Sequence, residues 1–214
     1  MVEAGITSTN LAALDRIFAG NFPPKTESVT VKSGEGAVSR GQLLIQEVIG
    51  GKWVKYTSPT AVASEAVGSG NGTAKTFSAT LANKNIAPGT VSVTAPIGGS
   101  NVTLYDDGEG SLKDASGNHV GTINYVTGDL SLTFGTAPDT GSNNITAAYS
   151  HFGSKYVGAR PRLAVLADDV DATSADKAAG AFVTGEFNAK QLTPDVSSDT
   201  WIQSYGPKIQ LFIE

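Results

Sequence analysis

Acidic residues offer the most obvious chemistry in this chain of 214 residues. Asp168, Asp169 and Asp171 follow an apolar run at 162–167, and a second apolar run at 180–188 ends in Gly-Glu-Phe-Asn. Clustered carboxylates are the raw material of a hard-cation site or of acid–base catalysis. No second acidic motif at helical spacing accompanies these three, so a solvated turn joining two buried strands is the better reading. Asp106, Asp107, Glu109 and Asp114 invite the same question. Their spacing lacks the alternation and the distant closing glutamate of an EF-hand loop, and they too read as turn acids.

Other chemistry fails on its context. His119 and His151 have no nucleophile motif beside them, no Gly-x-Ser-x-Gly elbow occurs, and each reads as a turn or strand-end residue. Residues 70–76, Gly-Asn-Gly-Thr-Ala-Lys-Thr, hold a Lys-Thr pair after glycines. No glycine directly precedes Lys75 and a strand is expected next, so the helix dipole that cradles phosphate is missing. The glycosylation sequons at Asn71, Asn101 and Asn144 read as products of an Asn- and Thr-rich composition without a secretory signal pattern. No catalytic, metal or cofactor site emerges, and the chain is not expected to be an enzyme.

Composition narrows the class. A net charge of −5 offers no basic face to a phosphate backbone, so nucleic acid is not an expected partner. Without cysteine, disulfides and thiolate metal sites are excluded. No apolar run reaches the length of a membrane span, so a cytoplasmically made, soluble chain without a membrane partner is expected. Hydrophobic residues at 40%, charged residues at 16% and 25 glycines point to a core under a neutral-polar surface with many turns. That is an all-β pattern.

The runs and turns must position these residues. Asn10 caps a segment at 11–18 with apolar residues at helical spacing, and Gly20 stops it. Too short to be stable alone, it reads either as a packed terminal turn or as an arm that orders on a partner. Pro23 and Pro24 force extended chain. Strands are expected at 27–32, 42–48 and 52–56, the last two joined through a Gly50-Gly51 hairpin. They leave a sheet short of partners.

From Ser64 the texture changes. Residues 68–72 read as a flexible linker, and short strands recur at 75–80, 91–94, 102–105, 122–125, 130–134 and 145–149 between turn signals. That block, about 90 residues, is long enough to fold by itself as a β-sandwich. After a second linker at 153–155, the strands around the first acid cluster and a closing strand at 209–213 supply the missing partners. A short helix at 199–205, capped by Asp199 or Ser198, ends at Gly206. The expectation is a mainly β chain in three parts. Residues 1–24 form a flexible N-terminal arm, and 25–63 plus 154–214 form a small β-rich domain with one or two short helices. Residues 64–153 form an inserted β-sandwich domain.

The flanking segments carry Ala-Gly-Asn-Phe-Pro at 19–23, Thr-Glu-Ser-Val-Thr-Val at 26–31 and Ser-Arg-Gly at 39–41. Val-Leu-Ala-Asp-Asp-Val-Asp at 165–171 and Gly-Glu-Phe-Asn at 185–188 follow. In this order they resemble the lambda-type bacteriophage head decoration (capsid cement) proteins, across 20–56 and 158–214. The insertion departs from that compact pattern. Residues 122–134, with Ala-Ala-Tyr at 147–149, resemble β-sandwich modules of phage structural proteins.

The resemblance implies a non-enzymatic homotrimer at three-fold positions of an expanded head. There it would bind the major capsid protein on the outer surface of the virion and hold the shell against packed DNA. It also implies that the N-terminal arm adds a strand to a capsid loop, where backbone hydrogen bonds provide the affinity. The arm's apolar members are Ile6, Leu11, Leu14, Ile17, Phe18, Phe22 and Pro23. The inserted domain is expected to project outward, as a passive extension or as a module binding host-surface glycans. Tyr105, Tyr125, Tyr149 and His151 are its candidate stacking residues. The competing whole-chain reading is a phage tail or baseplate component that uses the same sandwich module.

Overall fold

A computed structural model describes residues 17–155 and 158–214. It is mainly β, and its strands divide between two compact units. The first takes the chain up to Ile45, Lys52–Tyr56 and Leu163–Glu214, and the second takes Gln46–Gly51 and Thr57–Arg162. In chain order the strands begin with β1 (Lys25–Val31), β2 (Gly36–Val38), β3 (Leu43–Gln46), β4 (Trp53–Lys55) and β5 (Thr60–Gly68). Next come β6 (Thr76–Thr80), β7 (Ser92–Ile97), β8 (Ser100–Asp106), β9 (Ser111–Lys113), β10 (His119–Ile123), β11 (Asp129–Thr133) and β12 (Ile145–His151). The chain closes with β13 (Leu163–Leu166), β14 (Val170–Ala172), β15 (Lys177–Phe187) and β16 (Leu211–Ile213).

In the first unit a six-stranded sheet runs β1-β4-β3-β13-β15-β16, and β15 also pairs with β1. That extra pairing joins β1, β4, β3, β13 and β15 into a closed ring, with β16 outside it as a parallel neighbour of β15. Closure removes the open edges that invite unwanted strand pairing. The partners are far apart in sequence: β1 runs antiparallel to β15 from Val31↔Lys177 to Lys25↔Thr184, and β3 to β13 from Leu43↔Val165 to Ile45↔Leu163. The C-terminal strands therefore complete the sheet that the N-terminal strands leave short.

Burial explains the two kinds of strand pattern. Leu43, Leu44, Ile45 and all of β13 are buried, so these strands read as unbroken apolar runs. Strand β1 buries Val29 and Val31 while Ser28 and Thr30 stay exposed, and it alternates. The loop expected between the two C-terminal strands holds β14, which pairs with β2 from Val170↔Val38 to Ala172↔Gly36. Strand β15 is long because it serves β1 and β13 in its first part and β16 in its last. Gly185 marks the change of partner. Its φ of 150° disfavours any side chain, and a Cβ there would run into the Phe187 ring.

The expected short helix is α1 (Thr200–Tyr205). Asp199 caps it by accepting from the Trp201 and Ile202 N–H groups. Gly206 ends α1 as its C-cap, its N–H donating to the Ile202 carbonyl, and the chain then tightens into a 3-10 turn over Gly206–Ile209; Gln210, at φ 61°, takes the left-handed closing position. Glycine is needed at 206 for space, because a Cβ would meet the Leu211 carbonyl oxygen.

The second unit is one eight-stranded sheet in the order β5-β12-β7-β8-β9-β10-β11-β6. Its neighbours pair antiparallel, and β8 meets β9 only at Tyr105↔Lys113 and Asp106↔Leu112. Around that short join the sheet folds over a core that includes Val93, Leu104, Leu112, Leu130, Leu132 and Ile145. The result is sandwich-like, with the inner residues of every strand supplying one core.

Two sequence expectations change here. Residues 68–72 are no slack linker: Gly68 pairs with Ile145, Gly70 N–H donates to Asn144 Oδ1 at 2.7 Å, and Gly141 N–H donates to the Gly70 carbonyl at 3.0 Å. A Cβ on Gly70 would collide with the Asp139 carbonyl, so glycine serves close packing rather than freedom. The block also starts earlier than Ser64, because β5 already pairs at Thr60↔His151.

Candidate functional surfaces

Of the apolar residues assigned to the arm, Ile6, Leu11 and Leu14 lie outside the described residues. Ile17, Phe18 and Phe22 are packed on the first unit, which corrects the expectation of a free arm as far as residue 24. Ile17 is buried, and Phe18 forms an antiparallel bridge with Phe187. Ala19 N–H donates to the Glu186 carbonyl at 3.0 Å, and Asn188 N–H donates to the Ile17 carbonyl at 2.9 Å. The Phe18 ring sits 5.2 Å from that of Phe182, edge to face, and Phe22 lies 4.9 Å from Phe212. Pro23 is exposed, its carbonyl accepting from Thr184 Oγ1 at 3.2 Å.

Helical spacing at 11–18 suggested a helix stopping at Gly20. Residues 11–16 of that segment lie outside the described residues; Ile17 falls in a turn, and Phe18 bridges to Phe187 on β15, with their rings 5.3 Å apart. A Cβ at Gly20 would displace the Glu186 carboxylate, which accepts from Phe22 N–H at 3.3 Å.

The acids are spent on turns. Asp169 Oδ1 accepts from Arg40 N–H at 2.7 Å, and Asp171 Oδ1 accepts from the Thr173 N–H and hydroxyl. The Thr173 donors hold the Asp171 carboxyl below the usual carboxylate range. Asp106 accepts from the Tyr125 hydroxyl at 2.5 Å and from the Gly108 and Gly89 N–H groups. Burial opposes ionisation of Asp107, yet the Lys113 ammonium and the Glu109 and Ser111 N–H groups keep its carboxyl below the ordinary value. Asp114 accepts from Ser116 and Asn118. Among the described residues no group of three such side chains is placed to hold a metal ion.

The histidines lie at strand ends, His119 opening β10 and His151 closing β12. The fold adds a contact the sequence did not suggest: Ser111 Oγ and His119 Nδ1 are 2.7 Å apart across β9 and β10. The pair is exposed to water, far from the enclosed setting that activates a nucleophile. Tyr125 and Tyr149 are core residues and cannot stack on a sugar. Their hydroxyls donate to Asp106 and Glu65, both at 2.5 Å. Tyr105 is 58% exposed, and His151 is half-buried.

The second unit carries a cleft of about 910 Å³ over the outer face of β6, β11 and β10. Its floor follows from strand register. Inner residues Leu130, Leu132 and Ile123 face the core, so their neighbours Ser131 and Thr122 face out. Ser78 lies opposite Ser131, and Ser131 opposite Thr122. Thr80 lies opposite Asp129, its hydroxyl donating to Oδ1 at 2.8 Å. The Thr127 and Thr80 hydroxyls hold the Asp129 carboxyl below its ordinary value. Gly108, Glu109 and Gly110 form one wall, with Ala159 and Arg160; Arg160 Nη2 meets Glu109 Oε2 at 2.9 Å. Sequence reasoning missed this surface because its residues are ordinary strand hydroxyls until register aligns them.

No protein-family model matches the chain, and no curated protein matches it. Among solved structures it is similar to VP17, a capsid protein of bacteriophage P23-77, at 14% identity and a TM-score of 0.29, over 78% of this chain and 80% of that one. A score this low does not define a shared fold. Among the described residues no helix is long and apolar enough to cross a membrane.

Proposed function

We propose that the chain is a non-enzymatic capsid decoration protein of a bacteriophage. It acts as a homotrimer bound to the major capsid protein at three-fold positions on the outer surface of an expanded head. The observation carrying this reading is the reunion of two distant motif sets. The decoration-type segments at 26–31, 165–171 and 185–188 fall on β1, β13, β14 and β15, which meet in one unit although the second unit separates them in sequence. A family domain interrupted by an insertion requires that reunion, and scattered chance similarity gives no reason for it. In this reading the first unit is the decoration domain and the second is the insertion, carried on the solvent side of the shell.

The mechanism follows from symmetry and linkage. Three identical arms and faces make weak contacts act together. Binding the assembled shell, but not its separated parts, stabilises the shell by mass action. The arm residues before Ile17 supply the added strand, while Ile17, Phe18 and Phe22 root it on β15 and β16. The net charge of −5 suits an outer surface away from the genome.

The test is co-sedimentation with expanded heads stripped of decoration. The intact chain should pellet with the heads and raise their resistance to heat. A chain lacking residues 1–16 should remain trimeric and lose binding. An intact chain that leaves the heads unbound and unprotected would end the proposal.

A further inference from the structure

We infer that the cleft over β6, β10 and β11 is a carbohydrate site that takes short, neutral oligosaccharides. This inference concerns the second unit alone and stands whether or not the first unit binds a capsid. Three observations carry it. The concavity, about 910 Å³, lies at the upper end of the range of small-ligand sites, with room for more than one sugar ring. Its floor is made of hydroxyls from three neighbouring strands, Ser78, Ser131 and Thr122, held in direct cross-strand register and exposed. Each hydroxyl donates once and accepts twice, which matches a sugar hydroxyl that does both.

Charge selects within the polar ligands. Asp129 and Glu109 bring two carboxylates and Arg160 one guanidinium, so the cleft is not a site for phosphate, sulfate or an acidic sugar. The Arg160–Glu109 pair stands in solvent, with side chains 84% and 63% exposed, so it holds the wall only weakly and can part to reach a ligand. Asn124 adds an amide at the rim; its Oδ1 accepts from Val126 and Thr127 N–H, which presents Nδ2 as a donor. Tyr125 lies beneath the floor with its hydroxyl engaged, so no exposed ring stacks on the ligand. Affinity per site is therefore modest.

The experiment is an amide-NMR titration of the full chain with neutral trisaccharides of glucose, galactose and N-acetylglucosamine, and with sialyllactose. At least one neutral sugar should give saturating shifts at Ser78, Thr122 and Ser131, with sialyllactose weaker. Thr122→Arg and Ser131→Arg each place a long charged side chain across the floor. They should weaken binding at least tenfold, whereas Asn101→Arg, an exposed position outside the cleft, should not. Thermal unfolding of all three variants should match the parent, since each position is exposed. No saturating shift with any neutral sugar, shifts confined to another face, or full binding by Ser131→Arg would each overturn the inference. None of these outcomes bears on head binding, which the co-sedimentation test reads separately.

Discussion

Phe18 faces Phe187 across an antiparallel bridge, with ring centroids 5.3 Å apart. Phe182 closes the cluster at 5.2 Å from Phe18. Segments from opposite sides of the second unit in sequence therefore touch: residues 19–23 leave this cluster, and residues 185–188 form its far side. Ile17, Phe18 and Phe22 thus belong to the packed first unit, and the proposed capsid-binding arm is confined to residues before Ile17.

Truncation tests that boundary. On the proposed role of residues 1–16 as a capsid-binding arm, removing them should leave urea stability of the first unit within about 0.5 kcal/mol. Phe18→Ala, which opens a half-buried aromatic cluster, should cost about 1–3 kcal/mol. Removal through Phe22 should cost more still, since the contacts of Phe187 and Phe212 are both lost.

Asp199 joins two jobs. One carboxylate oxygen caps α1, and the other accepts from the Tyr56 hydroxyl at 2.7 Å. Tyr56→Phe should destabilise by about 1.5–3 kcal/mol, as for a hydrogen bond to a charged group. Asp199→Ala should cost more, because the helix cap is lost as well as the acceptor of the Tyr56 hydroxyl. A double-mutant cycle should give a coupling of about 0.5–3 kcal/mol; additivity would mean that the two groups act separately.

Gly185→Val should be among the most damaging single changes. Its φ of 150° and the Phe187 ring against its Cβ position leave a side chain no place. We expect a loss of about 2–4 kcal/mol in chemical denaturation. Gly34, at φ 91° with open space around it, should tolerate Asn far better.

Alkaline pH should unfold the second unit early. Burial, reinforced by the Asp106 carboxylate, pushes the Tyr125 phenol well above the ordinary tyrosine value, and burial with Glu65 raises Tyr149. Both stay protonated in the folded state while the unfolded chain ionises near pH 10, so the unfolded state binds fewer protons there. Stability is thus full below about pH 10 and falls as pH rises above it. Ultraviolet titration should show Tyr125 and Tyr149 ionising only with unfolding. Tyr125→Phe should flatten the alkaline loss.

Much of the fold is visible in sequence because burial leaves a period behind. Strand β1 alternates, β3 and β13 are unbroken apolar runs, and Asp199 announces α1. Strand β5 was hidden: its alanines and single Glu65 give little alternation, and it lies at a sheet edge where few residues need burial. Strand β9 has only three residues. The glycines at 68–72 looked like slack because close approach of two backbones leaves the same residue type as freedom does. The cleft was invisible for a different reason. Ser78, Thr122 and Ser131 become one surface only through cross-strand register, which no local pattern encodes.

The central claim, a place on the outside of a phage head, is tested most directly by immunogold electron microscopy of virions with antibody against this chain. Label distributed over the head surface, and lost from tails, is the predicted result. Label confined to the tail or baseplate would contradict it.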